Sequence, residues 1–315
     1  MDKYAVIVGQ GRSGTNWLLD LFNLSEETYS RNEPHELDSS PISEFDSHRV
    51  VVRAQQKILN DKWDEVIRQV GIRMSAIAPW ITTRKSYFNL SKFLYMSVRS
   101  NKFRRVLSLY FKAFKADEWL MPSWAVKNIE WTKVLRVFKF VQSPGWADFL
   151  LNCRRDVHVF HIVRQPGGFL NSWRNRYLST EENQKVLKNN LCRLHEISRE
   201  SKYWSDLFGD IDSLGLIESE LWYWYYANET IYQAGAGKSN YSLIMYEELA
   251  SNPVKVLREL YSKIGLNLSE SIEGSVVSGA KNSKAISGSW RKKLTTTEIE
   301  LCEMFTEKAN SSFYS

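Results

Sequence analysis

Residues 4–8, Tyr-Ala-Val-Ile-Val, form an unbroken apolar run that ends in Gly-Gln-Gly, after which Trp17, Leu18, Leu21 and Phe22 recur at helical spacing. Such a run predicts a strand buried on both faces, then a turn, then a helix. The same grammar returns at 157–163, where Val-His-Val-Phe-His-Ile-Val is broken by Pro166-Gly167-Gly168 and followed by Phe169, Leu170, Trp173 and Tyr177 at helical spacing. A third strand is predicted at Tyr241–Met245, with a helix from Pro253 to Ile264. Strands that alternate with helices predict an α/β fold with a parallel sheet and right-handed crossovers. Between the first two units lies a helical insertion, in which Phe103, Val106, Leu107, Tyr110, Phe111 and Phe114 keep the spacing of one helix face. Residues 217–235, with Trp222, Trp224, Tyr225 and Tyr226, read as a helix buried on most sides, and Thr295 with Glu298 as a capping box that opens a last helix. With no repeat and no break in composition, a single domain over 1–315 with an insertion at about 50–120 is expected.

Composition narrows the function classes. At 43% apolar and 25% charged residues the chain is ordinary globular material, and no stretch approaches the ~18 apolar residues of a membrane span. Met1-Asp2-Lys3 runs into a strand and a glycine turn rather than a cleavage site, so a cytoplasmic protein is expected. Cys153, Cys192 and Cys302 are odd in number and far apart, which supports neither a disulfide frame nor a zinc cluster, and no metal is expected. The net charge is +6, yet residues 51–150 hold 18 Lys and Arg against 7 Asp and Glu. Such a field favours an anionic ligand, although basic side chains that merely solvate helices would give the same count.

The chemistry concentrates in the first turn. Gly9-Gln10-Gly11-Arg12-Ser13-Gly14-Thr15-Asn16 joins a strand to a helix, where exposed backbone N–H groups and the positive helix end bind phosphate. Gly9, Gly11 and Gly14 fit the dinucleotide fingerprint, and Glu33 falls where its ribose-binding acid belongs. That acid should end a second apolar strand, and residues 25–32 are polar almost throughout, so this fit is set aside. The triphosphate loop fits at Gly9 and Gly14, but Thr15 and Asn16 stand where it needs Lys and a magnesium-binding hydroxyl, which disfavours a kinase. A third possibility puts the cation in the loop itself as Arg12, whose planar donors suit a metal-free anion.

Arg12-Ser13-Gly14-Thr15-x-Trp17 after an apolar strand resembles the 5′-phosphosulfate loop of the sulfotransferases that use 3′-phosphoadenosine 5′-phosphosulfate (PAPS). Arg164 at the end of the 157–163 strand, with Ser172 eight residues on, resembles the 3′-phosphate site of that family. Tyr246-Glu247-Glu248-Leu249 resembles a further family segment, read here as structural. The likeness spans residues 4–37 and about 120–310, and the carbohydrate branch is the nearest in pattern. Gln165 and Gly167 depart from the acid and the basic residue that the family usually carries there.

The resemblance implies a P-loop-type parallel sheet flanked by helices with a helical insertion, PAPS as donor, PAP as product and no metal. It implies that Arg12, Ser13, Gly14, Thr15 and Asn16 hold the 5′-phosphate, that Trp17 stacks on adenine, and that Arg164, Ser172 and Arg291 hold the 3′-phosphate. Glu33, in Asn32-Glu33-Pro34-His35, resembles the carbohydrate-branch base, with His35 as rival and Glu36 and His48 as further options. Lys127, in an expected strand, resembles a lysine aimed at the sulfuryl group; Lys281, Lys284 and Lys292 are other candidates beside Arg291. The partner is then a carbohydrate or another small hydroxyl acceptor shaped by Trp80, Tyr87 and Trp119 of the insertion, with no nucleic acid expected. A kinase or a non-catalytic module for anionic nucleotides is the alternative.

Overall fold

The computed structural model describes residues 4–33, 42, 45–72, 133–178, 183–277 and 288–314. Strands β1 (Tyr4–Gly9), β2 (Thr28–Asn32), β3 (Leu135–Val141), β4 (Val157–Val163) and β5 (Tyr241–Met245) make a five-stranded sheet in the order β2-β3-β1-β4-β5. β2 runs parallel to β3, with Asn32 opposite Lys139, and β4 runs parallel to β5, with Val163 opposite Met245. The fold is therefore of the α/β class with a P-loop-type sheet. The described helices used below are α1 (Thr15–Phe22), α2 (Arg53–Ile72), α3 (Pro144–Cys153), α4 (Pro166–Tyr177), α5 (Asn183–Glu200), α6 (Lys202–Phe208), α7 (Leu216–Gly235), α8 (Tyr246–Ser251), α9 (Pro253–Lys263) and α10 (Thr296–Asn310).

The internal contacts divide the chain into two interleaved units. One holds Met1–Ile7, Asn16–Phe45 and Val52–Phe140; the other holds Val8–Thr15, Asp46–Val51 and Val141–Ser315. In the first, Phe22, Tyr29, Phe138 and Phe140 are fully buried, and Trp63 of α2 packs on Phe140 with ring centres 5.3 Å apart. In the second, the aromatic face of α7 organises the core: Trp222 meets Phe305 of α10 edge-on at 5.0 Å, and Trp224 packs beside Phe169 and Phe313. Each such ring withdraws well over 100 Å² of apolar surface, worth about 2–3 kcal/mol. α10 opens with the predicted capping box, Thr295 and Glu298 each satisfying the other's backbone N–H.

Residues 28–32 form strand β2, contrary to the expectation that 25–32 is too polar for a strand. Part of its polar surface is satisfied inside the protein, which eases burial, although Ser30 Oγ and Asn32 Oδ1 are buried with no hydrogen-bond partner among the described residues. Thr28 Oγ1 donates to the carbonyls of Phe22 (2.6 Å) and Ser25 (3.0 Å), and Arg31, fully buried, donates to the Tyr29 hydroxyl at 3.4 Å. The dinucleotide fingerprint therefore fails on strand order rather than on the polarity of β2. In that fold the acid-bearing strand lies directly beside β1, whereas here β3 stands between β2 and β1. β3 itself was not predicted. The expected strand around Lys127 and the helical stripe of Phe103–Phe114 lie outside the described residues.

Candidate functional site

The loop after β1 is shaped by close approach. A Cβ on Gly9 would stand 2.4 Å from the Ile162 carbonyl oxygen of β4, and one on Gly14, at φ +97°, would stand 2.5 Å from the Tyr246 ring. Only glycine fits either place. The turn closes with the Ser13 N–H on the Gln10 carbonyl (3.1 Å), and the Gln10 amide donates to the Tyr223 carbonyl of α7 at 3.3 Å. Arg12 is held at φ +72°, a costly conformation for a side-chain-bearing residue and one that persists only where its surroundings impose it. The first N–H groups of α1, just downstream, have no carbonyl four residues back to bond.

Arg164, one residue past β4, is only 5% exposed. Its Nη1 donates to the Arg12 carbonyl at 3.2 Å, and its guanidinium carbon lies 4.4 Å from the centre of the Tyr246 ring, a cation–π contact. Arg12 Nε in turn donates to Ser172 Oγ of α4 at 3.1 Å. Two guanidiniums and a hydroxyl from three separate elements thus meet in one unit. Burial pulls the Arg164 pKa below its ordinary value; Tyr246 and Glu247 pull it back up, and Arg12 adds to the depression. Arg164 Nε and the fully buried Ser13 Oγ are withdrawn from solvent with no hydrogen-bond partner among the described residues. Unspent buried donors beside paired cations are what an anion site requires.

The turn after β4 is braced from the C-terminal side. A Cβ on Gly167 would stand 2.4 Å from the Trp290 ring, which explains why this position carries no side chain. Arg291, proposed for the 3′-phosphate, lies over Trp290 at 4.3 Å and pairs with Glu303 at 2.6 Å, more than half exposed.

Of the other predicted residues, Asn16, Trp17 and Glu33 fall in the first unit, Thr15, His48 and Lys292 in the second, and the rest outside the described chain. Lys139 of β3, 2% exposed, donates to Asn16 Oδ1 at 2.8 Å and approaches Glu33 Oε1 at 3.6 Å. Glu33 follows β2 directly, with φ +44° and its N–H on the Lys139 carbonyl at 2.8 Å. Trp17 is half-buried. His35, Glu36, Lys127, Lys281 and Lys284 lie outside the described residues. His48 hydrogen-bonds the Tyr223 hydroxyl through Nδ1. His161 of β4 bonds Tyr241 and Asn228, and burial pushes its pKa down to about 4, so it is a neutral core residue.

Sequence reasoning missed Lys139 and the part played by Tyr246. The signal for Lys139 was present: a lysine inside Leu-Arg-Val-Phe-Lys-Phe-Val has to find a partner if that run is a buried strand. Among the described residues no group of three or more His, Cys, Asp or Glu side chains is placed to hold a metal, and no described helix is long and apolar enough to cross a membrane.

No protein-family model and no curated protein matches the chain. Among solved structures it is similar to the sulfotransferase domain from the Synechococcus PCC 7002 olefin synthase, at 17% identity and TM-score 0.44, over 96% of this chain and 94% of that one. It is similar to the sulfotransferase domain from the curacin biosynthetic pathway at 11% identity and TM-score 0.45, over 97% and 98%. It is also similar to a mouse sulfotransferase complexed with PAP, at 12% identity and TM-score 0.45, over 99% and 86%.

Proposed function

We propose that the chain binds PAPS and transfers its sulfuryl group to the hydroxyl of a carbohydrate or another small acceptor. One observation carries this: Arg12, Arg164 and Ser172, from a loop, a strand end and a helix, converge within one unit, with Arg164 Nη1 on the Arg12 carbonyl. The unpartnered Arg164 Nε and Ser13 Oγ fit an anionic ligand with phosphates at two positions. A magnesium-nucleotide kinase would need Lys at position 15 and a hydroxyl at 16, where Thr15 and Asn16 stand.

The donor, when bound, supplies a sulfuryl group on a phosphate leaving group. Arg12, Ser13 and the backbone N–H groups of Gly14, Thr15 and Asn16 hold the 5′-phosphate and stabilise charge that develops there. Arg164 and Ser172 hold the 3′-phosphate, with Arg291 as a further contact, and Trp17 flanks the adenine. Glu33 takes the proton of the acceptor hydroxyl, oriented by Lys139; His35 is the alternative base, and Lys127 a further cation toward the sulfuryl oxygens.

Thermal unfolding with PAP against ATP and magnesium tests the donor. A ligand at a hundredfold excess over its Kd should stabilise the fold by about 2.7 kcal/mol. PAP should raise Tm, and Arg164→Ala should cut the stabilisation at the same PAP concentration to about 0.4–1.4 kcal/mol; a rise with ATP and magnesium alone would overturn the proposal. Labelled-sulfate transfer from PAPS to a panel of sugars and phenols, with Glu33→Gln as the inactive variant, tests the chemistry.

A further inference from the structure

Arg164 and Arg12 bring two positive charges together, and among the described residues Arg164 makes no close ion pair. The carboxylate that acts on Arg164 is Glu247, in the first turn of α8, next to the Tyr246 ring on which the guanidinium rests. Glu247 Oε1 accepts the Gln165 N–H at 3.2 Å, which ties it to the turn that carries Arg164. Its Oε2 is buried and has no partner among the described residues. Resting on the proposed donor site, we infer that Glu247 is a positioning residue which serves as the counter-ion of Arg164 until a phosphate ester takes over that role, and which then takes a proton from solvent onto Oε2.

The groups around this carboxyl fix the sign. Arg164 faces it from the end of β4 and favours its charged form, while the buried Tyr314 hydroxyl faces it from the C-terminal segment. Glu248, its neighbour on α8, is exposed and lies 3.9 Å from Lys255. Burial already holds the Glu247 carboxyl above the usual carboxylate range, against the pull of Arg164 and the Gln165 N–H. A phosphate on Arg164 cancels that pull and adds a like charge nearby, and both changes favour the neutral acid. Ligand binding is then linked to proton uptake, so affinity falls as pH rises through the titration of the liganded carboxyl. The phosphate's own titration runs the other way, since guanidiniums favour its fully charged form. Net uptake is thus a signature of Glu247.

Calorimetry of PAP binding in two buffers of different ionisation enthalpy, repeated from pH 5.5 to 8, tests this on the intact protein and on Glu247→Gln, which keeps the acceptor for Gln165. The wild type should take up more protons than the variant. Glu247→Gln should bind PAP about three- to tenfold more tightly at pH 8, since one unit of pKa shift corresponds to tenfold, and the difference should close toward pH 5.5. Equal uptake with parallel profiles, or weaker binding by the variant at every pH, overturns the inference and leaves the donor site standing. Should the variant not fold, the wild type decides alone: uptake with PAP must exceed that with AMP, which lacks the 3′-phosphate, and no excess overturns the inference. Failure of the wild type to bind PAP at all overturns the donor assignment itself.

Discussion

Lys139 and Arg164 are both cations buried at the carboxyl ends of strands, yet their surroundings are opposite. Lys139, 2% exposed, meets an amide oxygen at 2.8 Å and a carboxylate at 3.6 Å. Arg164, 5% exposed, meets a backbone carbonyl and an aromatic face, and its Nε remains unbonded among the described residues. A buried charge is tolerated when its partner is built into the fold, and costly when it is not. The first arrangement therefore holds itself together, whereas the second leaves a buried donor unspent among the described residues. The two histidines of β4 show a third solution, in which burial is met by shedding the charge: His158 and His161 both have pKa values pushed down to about 4.

The contrast is sharpest in stability. Lys139→Met should cost about 3 kcal/mol in a urea titration, because it strands Glu33 and Asn16, and adding Glu33→Gln should recover much of the loss. A cost below about 1 kcal/mol would place Lys139 in the same class as Arg164. Arg164→Ala should leave the urea midpoint nearly unchanged while it weakens PAP binding roughly 10- to 100-fold, the worth of a charged hydrogen bond. A large loss of stability with unaltered binding would reverse the comparison.

The neutral solution is read from pH. Folded His161 gains its proton only near pH 4 and the unfolded chain near 6.5, so its contribution is whole above about 6.5 and is lost as pH falls toward 4. Between pH 7.5 and 5.5 this removes roughly 1 kcal/mol, which His161→Asn should abolish in Tm measured against pH. The smallest effect belongs to an exposed cation. Arg174 bonds both oxygens of Glu298, at 3.0 and 2.7 Å, but its side chain is 36% exposed, and Arg174→Ala should cost about 0.5 kcal/mol.

These differences also explain what could be read in the sequence. β1, β4 and β5 announce themselves as apolar runs, and α7 and the capped α10 by spacing alone. β2 and β3 do not, because Thr28, Ser30, Arg31, Arg136 and Lys139 interrupt them; Thr28 and Arg31 bond near neighbours in sequence, but Lys139 is held by Asn16, more than a hundred residues away. The site divides in the same way. The glycine turn is local and legible, and the Arg164–Ser172 spacing pointed to a second phosphate contact. That Arg12 would meet both residues, that Tyr246 would lie between Gly14 and Arg164, and that Glu33 would pair with a lysine of an unforeseen strand depended on how distant segments pack.

The indole of Trp290 against Gly167 bears on biogenesis. Translation proceeds at about 5–20 residues per second, so the ribosome releases this indole many seconds after the bend it braces. A nascent chain can pair β1 with β4 before then, but the bend next to Arg164 lacks its brace until the late segment arrives. The bend beside Arg164 is therefore completed only once residue 290 has emerged, and chains arrested before Trp290 should carry that bend without its brace.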